Sequence, residues 1–324
     1  MSTILVYLPT ADGNIKRSAL EVLTQARNEA QKNNLAVHAL VVDANPENFT
    51  EKAAEYGAQV VHTVKNPMFN QHLNAPLIQA LETAIKSSGA SYFVTPSMEA
   101  TKDIMGALAA RFNAGVVPDV ASFEIIDNAV VALRPVMAAK VLQKVKATGS
   151  LILVSVRSGS YDAVTAPVAA SANALSFEPD TNSIKAYLRE IIKATAGGVD
   201  LSEANVVVAG GRGIKDADGR KLLEDLADLM NGAVGASRAV TESGLFPATT
   251  QIGQTGKVVS PELYFAVGIS GAIQHLAGVN SSKVKVVINN DAEAPFFKAA
   301  DYGIVGDAFE VVPKLVEAIR TVKS

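Results

Sequence analysis

The 324-residue chain contains no cysteine. This absence excludes disulfides, thiolate catalysis, cysteine-ligated zinc and iron–sulfur clusters held by cysteine alone, and it suits a reducing compartment. The chain also lacks an excess of either charge, with 29 Lys and Arg against 32 Asp and Glu. No general positive field therefore favours nucleic acid or an anionic membrane surface.

Long apolar runs are missing as well. No uninterrupted apolar segment reaches the ~20 residues that a membrane-spanning helix needs. The opening MSTILVYLPTADG has no basic region, and its short apolar run ends in turn residues, so it predicts a first β-strand and no signal peptide. We therefore expect a soluble, cytoplasmic protein without membrane insertion.

The motifs of hydrolases and metal sites are absent too. No histidine pair or acid–histidine cluster has metal-ligand spacing, so no metal is expected. There is no GxSxG nucleophile elbow, and the serines of GIS and GAS have no base near them in sequence. Of the four histidines, His38, His62 and His72 are interpreted as structural, because two lie in strand-like runs and one precedes a helix.

What the sequence does contain is a regular alternation of strand-like and helix-like segments over its first third. Runs rich in β-branched residues, such as LAVHALVVD, alternate with runs such as NAPLIQALETAIKSSG, which predicts a parallel sheet covered on both faces. Residues 116–156 offer strands without a long helix and predict antiparallel additions to that sheet. Residues 157–183 predict a covering loop, and residues 184–198 fit a strand or a helix.

A second α/β unit begins near Glu203. The run ANVVVAGGRGI predicts a buried strand that enters a glycine-rich turn, and GRKLLEDLADLMNG predicts an amphipathic helix that ends at glycine. The chain is long enough for two hydrophobic cores. We therefore expect two α/β domains, residues 1–197 and 198–324, with the boundary near Gly197–Gly198.

Polar residues follow nearly every predicted strand of the second half. Because parallel sheets bind ligands beyond the carboxyl ends of their strands, this clustering is more informative than any single motif. The motifs are GGRG (210–213), GASR (235–238), QIGQTG (251–256), GISGAIQH (268–275), NND (289–291) and GD (306–307).

Each motif by itself has two interpretations. GISGAIQH could place a hydroxyl and helix-start amides on a phosphate, but it lacks GxGxxG spacing and equally fits a plain strand–helix turn. The arginines Arg212 and Arg238 could bind phosphate or be solvated charges. Asn289 and Asp307 could hold ribose or adenine, or cap the helices that follow them. A lone His275 more often packs in its helix than acts in chemistry.

Taken together, these motifs resemble the alpha (large) subunits of electron transfer flavoproteins. The resemblance covers roughly residues 203–319, and PELYFAVGISGAIQHLAG followed by INND is highly specific to that family. The N-terminal half matches in pattern more than in motif. The resemblance implies a C-terminal Rossmann-like domain that holds one FAD, and a smaller beta subunit that carries AMP and completes a heterodimer.

The implied activity is that of an electron carrier without substrate turnover of its own. It would shuttle single electrons through an anionic semiquinone, from flavoprotein dehydrogenases to an acceptor, and would bind donor and acceptor transiently. Such a site needs no proton-abstracting base. A nicotinamide-dependent oxidoreductase or transhydrogenase-like nucleotide-binding subunit remains the alternative, and a scaffold whose first domain does the work is a third.

The resemblance also assigns FAD contacts residue by residue. Arg238 over the ring, Thr255 at its N5 and His275 at the pyrimidine carbonyl would tune the flavin, because cations and donors stabilise charge on the reduced ring. Ser270 and Gly271 would take the pyrophosphate. The full predicted set is Arg212, Ser237, Arg238, Ile252, Gly253, Gln254, Thr255, Ser270, Gly271, Ala272, Ile273, Gln274, His275, Asn289 and Asp307.

Overall fold

The computed structural model describes residues 2–137, 139–189 and 200–323. The described residues form two compact α/β units, one of residues 2–136 and 140–189 and one of residues 137, 139 and 200–323. The predicted boundary near Gly197–Gly198 lies outside the described residues. Within these ranges, no helix is both long enough and apolar enough to cross a membrane.

In its described residues, the first unit contains twelve strands and four α-helices. Its elements in chain order are β1 (Thr3–Tyr7), β2 (Thr10–Ala11), β3 (Asn14–Ile15), α1 (Arg17–Asn33), β4 (Ala36–Asp43), α2 (Thr50–Glu55), β5 (Val60–Lys65), α3 (Asn74–Ser88), β6 (Tyr92–Pro96), α4 (Glu99–Phe112), β7 (Gly115–Val120), β8 (Ser122–Ile126), β9 (Ala129–Val136), β10 (Val141–Ala147), β11 (Ile152–Val156) and β12 (Ser171–Leu175).

Seven of these strands form one wholly parallel sheet in the order β12-β5-β4-β1-β6-β11-β7. Every residue of the central strand β1 is buried, because the sheet is covered on both faces. Its alternate side chains Ile4 and Val6 pack with α1, whereas Leu5 and Tyr7 pack with α3 and α4. The predicted parallel sheet with helices on both faces is confirmed.

The sequence pattern predicts that the antiparallel strands extend this sheet, and this prediction is wrong. Instead β8, β9 and β10 pair with one another in a separate three-stranded sheet, while β7 and β11 join the parallel one. A tight hairpin joins β8 to β9 and pairs these two strands with each other. Asp127 and Asn128 both have positive φ, at 51° and 60°, the combination that a two-residue hairpin turn requires.

The stretch predicted as a covering loop contains a strand as well. Ser171–Leu175 form β12, which pairs in parallel with β5 at the edge of the sheet. Its composition, SANAL, has little β-propensity, so only pairing with a neighbour reveals it. A polar relay crosses three strands here: the Asn173 amide lies 3.1 Å from His62 Nδ1, and His62 Nε2 lies 3.1 Å from His38 Nδ1.

The second unit is built around one five-stranded parallel sheet in the order β14-β13-β15-β16-β17. Its elements in chain order are β13 (Val206–Gly210), α5 (Ala217–Leu229), β14 (Ala233–Ala236), α6 (Arg238–Glu242), β15 (Leu263–Val267), α7 (Ile273–Leu276), β16 (Val284–Asn289), β17 (Tyr302–Val305) and α8 (Ala308–Lys323). The chain moves from β13 to β14 on one side and then to β15 on the other. This reversal opens a crevice beyond the carboxyl ends of β13 and β15.

The buried His62 of this relay makes the first unit sensitive to acid. Burial, and next the neighbouring His38, lower the pKa of His62 from 6.5 to about 4. Because the folded pKa is depressed, protonation favours the unfolded chain, so this contribution to stability is complete above pH 6.5 and is lost as the pH falls toward 4. We expect the free energy of unfolding to decline over that window, by up to ~3 kcal/mol from this group.

Denaturant titrations at a series of pH values test this expectation. In the variant His62→Gln the decline between pH 6.5 and 4 should be shallower than in the wild type. His72→Gln is the control, because His72 is exposed. Equal slopes for the wild type and the His62 variant would contradict the assignment.

Candidate functional site

A cavity of about 500 Å³ lies at the carboxyl edge of the second sheet, where the strand order reverses. All of its walls belong to the second unit. They are formed by residues within the segments 211–213, 237–242, 251–255, 268–275 and 289–291. These segments follow β13, β14, α6, β15 and β16, so five of the six polar motifs that the sequence singled out meet at one edge, and only GD (306–307) does not.

The floor of the cavity is a crossing of two backbones. Gly211 N donates to Val267 O at 2.9 Å, and Gly213 N donates to Gly268 O at 3.2 Å. A Cβ placed on Gly268, whose φ is +64°, would lie 2.7 Å from the Gly213 Cα. Gly213 of GGRG and Gly268 of GISG must therefore both be glycine, because only residues without a side chain let these loops approach so closely.

Most of the predicted site residues line this cavity. They are Arg212, Ser237, Arg238, Ile252, Gly253, Gln254, Thr255, Ser270, Ala272, Gln274, His275 and Asn289. Three others lie outside the lining. Gly271 packs on the Phe296 backbone, Ile273 is 55% exposed, and the Asp307 carboxylate accepts a hydrogen bond from Phe309 N at the start of α8.

Nine lining residues are absent from the predicted residue set, although all of them except Ala239 and Glu242 lie within the motifs that the sequence analysis singled out. They are Gly211, Gly213, Ala239, Glu242, Gln251, Gly268, Ile269, Asn290 and Asp291. Glu242 carried a usable signal, because it stands four residues after Arg238, the spacing of a helical ion pair. The pair does form, with Arg238 Nε 2.7 Å from Glu242 Oε1. Both side chains are more than half exposed, so the pair is weak and easily exchanged for another partner.

Two polar side chains of the lining already have partners in the protein. The Thr255 hydroxyl accepts a hydrogen bond from Gln251 Nε2 at 3.0 Å. The Asn289 amide donates to Ile269 O at 3.0 Å and its oxygen accepts from Asp291 N at 3.0 Å. Asn289 therefore ties the loop after β15 to the loop after β16.

His275 lies buried beside the cavity, against an aromatic layer. Its Nε2 is 2.8 Å from the hydroxyl of Tyr264, and the Tyr264 ring is parallel to that of Phe296. Burial lowers the pKa of His275 to about 4, with an opposing contribution from the Ile252 backbone, and burial raises the pKa of Tyr264. At neutral pH the imidazole is therefore uncharged. Of the two roles expected from the sequence, a positive charge or a hydrogen-bond donor, only the donor role remains.

The second ring nitrogen of His275, Nδ1, differs from Nε2 in its surroundings. Nδ1 of His275 is buried and has no partner with hydrogen-bond geometry among the described residues. Because the His275 imidazole is neutral, the positive charges of the lining come from Arg212 and Arg238. The lining also contains the carboxylates of Glu242 and Asp291. The site combines a neutral, buried floor with a charged and exposed rim.

Comparison with known proteins assigns the family. The electron transfer flavoprotein domain matches residues 4–182, and the electron transfer flavoprotein FAD-binding domain matches residues 200–280. Electron transfer flavoprotein subunit alpha of Bacillus subtilis (strain 168) is 36% identical over 317 residues, covering 98% of this chain and 97% of that one. The chain belongs to the electron transfer flavoprotein alpha subunits.

Further members of the family match over the same span. The alpha subunit of Thermoanaerobacterium thermosaccharolyticum is 34% identical, covering 99% of this chain and 98% of that one. The alpha subunit of Mycobacterium tuberculosis (strain H37Rv) is 37% identical, with all of both chains covered. The predicted family membership, electron-transfer role and FAD cofactor are confirmed.

The cavity of this alpha subunit fits the chemistry of FAD. Its lining offers two guanidinium groups for the anionic parts of the cofactor, and hydroxyl and amide groups at Ser237, Gln254 and Ser270 for its other polar parts. The helix α7 is only four residues long, so its dipole is small. The helix start by itself is therefore a weak site for phosphate.

The backbone crossing predicts a strong effect of Gly268→Ala. The new methyl group would collide with the Gly213 backbone, so we expect this variant to lose ~2 kcal/mol or more of stability and most of its bound flavin. Gly244→Ala is the matched control, because Gly244 also has positive φ, +79°, but no atom within 4 Å of its Cβ position. Denaturant unfolding and flavin absorbance measure both effects, and equal losses in the two variants would contradict the crossing.

The contact between Tyr264 and His275 predicts which tautomer the imidazole adopts. Tyr264 keeps its proton, and within the described chain Nε2 of His275 is the acceptor beside it, so the imidazole proton should reside on Nδ1. Nitrogen-15 NMR should show a neutral Nδ1–H ring at pH 7 that titrates near pH 4. A ring that titrates near 6.5, or a proton on Nε2, would refute this assignment.

Proposed function

We propose that this protein is the alpha subunit of a heterodimeric electron carrier and that it turns over no substrate of its own. The observation that carries the proposal is the composition of the cavity in the second unit. Its arginines and hydroxyls suit an anionic redox cofactor, whereas its imidazole is neutral and engaged with Tyr264. Its carboxylates contact Arg238 and the Glu293 backbone, so they too suit binding more than proton abstraction.

FAD, when bound, supplies the one-electron chemistry, and the residues of this chain position it and set its charge environment. We propose a Rossmann-like mode of binding, with Arg238 over the ring, Thr255 near its N5 and the His275 imidazole beside its pyrimidine edge. Arg238 is exposed and only loosely paired, which suits a cation that changes partner when the cofactor arrives. The nicotinamide alternative has no comparable support.

The partner of this chain would be the smaller beta subunit, which we predict to carry AMP. The relatives' description as subunit alpha supports a second kind of subunit. Flavoprotein dehydrogenases and an acceptor would bind transiently. The test is co-expression of the two subunits: a yellow complex that accepts electrons from a flavoprotein dehydrogenase supports the proposal, and a flavin-free protein that binds NADH tightly would overturn it.

Arg238 should raise the potential at which the flavin takes its first electron, because a nearby cation stabilises the negative charge gained. In the purified heterodimer we expect Arg238→Ala to lower the first-electron midpoint potential by ~60 mV, a tenfold change in the equilibrium constant for one electron. Spectroelectrochemical titration measures the potential.

The matched control is Lys221→Ala. Lys221 forms an exposed ion pair with Asp225 on α5 and does not line the cavity. This variant should leave the potential unchanged and retain its flavin. An unchanged potential in the Arg238 variant would remove that residue from the ring.

A further inference from the structure

A chain of side-chain hydrogen bonds runs along the rim of the cavity in the second unit. On α6, the Thr241 hydroxyl lies 2.9 Å from Arg238 O and 3.1 Å from Gln251 Oε1, both of which are acceptors. Gln251 Nε2 then donates to the Thr255 hydroxyl at 3.0 Å. Gln251 and Thr255 line the cavity, but only Thr255 belongs to the residues expected at the cofactor. Thr241 and Gln251 thus connect α6 to an expected cofactor contact.

The loop that carries Gln251 and Thr255 is closed on itself. Lys257 N donates to Gln251 O at 2.8 Å, so the two ends of the loop are joined through their backbones. A Cβ on Gly256 would collide with Gln251 O, and only glycine lets the loop close so tightly. The side chains of Gln251 and Thr255 therefore meet from fixed backbone positions.

The direction of these hydrogen bonds decides what Thr255 can offer a ligand. A hydroxyl has one proton to donate and two lone pairs that accept. The Thr255 oxygen accepts from the Gln251 amide, and within the described part of the chain no group accepts the proton of Thr255. The amide oxygen of Gln251 faces Thr241, which leaves its nitrogen for Thr255. The Thr255 hydroxyl is therefore held as a donor at the wall of the cavity.

We propose that Gln251 is a positioning residue of the FAD site, which directs the proton of Thr255 toward the flavin ring. This inference rests on the proposed function, in which Thr255 lies near the N5 atom. A ring that takes up an electron gains negative charge, and a donated hydrogen bond stabilises that charge. Gln251 would raise the first-electron potential through Thr255, and Thr241 would do so through Gln251.

A double-mutant cycle in the purified heterodimer tests the proposal by spectroelectrochemical titration. We expect Thr255→Val to lower the equilibrium constant for the first electron about tenfold, or ~60 mV, and Gln251→Met to lower it about threefold, or ~30 mV. In a protein that already carries Thr255→Val, Gln251→Met should cause no further shift, because its effect passes through the missing hydroxyl. A merely structural role of Gln251 would give the same shift in both backgrounds.

Variants of Thr241 test the same chain without altering Gln251. Thr241→Val should lower the first-electron potential in the same direction as Gln251→Met and by less, whereas Thr241→Ser keeps the hydroxyl and should retain the wild-type potential. The matched control is Gln31→Met, because Gln31 is exposed on α1 and lies outside the cavity lining. This control should leave the potential unchanged. Flavin absorbance is measured for every sample, so that each potential refers to loaded protein.

Two results would overturn this inference alone. They are a potential that Gln251→Met leaves unchanged or raises, and equal shifts from Gln251→Met with and without the Thr255 hydroxyl. A Thr255→Val variant with the wild-type potential would overturn the inference and also remove Thr255 from the ring. A heterodimer that binds no flavin would overturn the proposed function as well. The two failures are therefore distinguishable in the same set of samples.

Discussion

The second unit depends on the crossing of two backbones at the edge of its sheet. The loop after β13 and the loop after β15 hydrogen-bond to each other through Gly211, Gly213 and Gly268, where a side chain would collide. This contact closes the crevice between two neighbouring strands into a floor. The crossing also fixes the backbone positions of Arg212 and Ser270, since each lies within two residues of one of these glycines.

A second layer of packing supports that floor from below. Gly253 fits against the backbone of residues 274–275, and Gln254 N donates to Gln274 O at 2.8 Å, so the segment 251–255 is tied to α7. Tyr264 and Phe296 fill the space beneath His275. Desolvation by this layer keeps the imidazole neutral, which leaves permanent charge to the exposed arginines of the rim. The buried layer thus gives the cavity its shape, and the exposed arginines give it its positive charge.

The two units share one plan with different chemistry. Each has a parallel sheet whose strand order reverses, and each has a cavity at that reversal. Parallel strands end in loops at one common edge, so both cavities collect polar side chains from several strand ends. The second unit places Arg212 and Arg238 there, whereas the first places Tyr7, Asp43 and Lys16 there.

The sequence by itself determined the two α/β units, the covered parallel sheets and the edge at which the polar motifs meet, because period and strand-end chemistry are local properties. Tertiary structure decided the rest. Strand β12 exists because β5 pairs with a segment of low β-propensity. Asn289 and Asp307 both follow strands, but only Asn289 reaches the cavity, since the other caps α8. The charge of His275 depends on burial by residues distant in the chain, which no local pattern records.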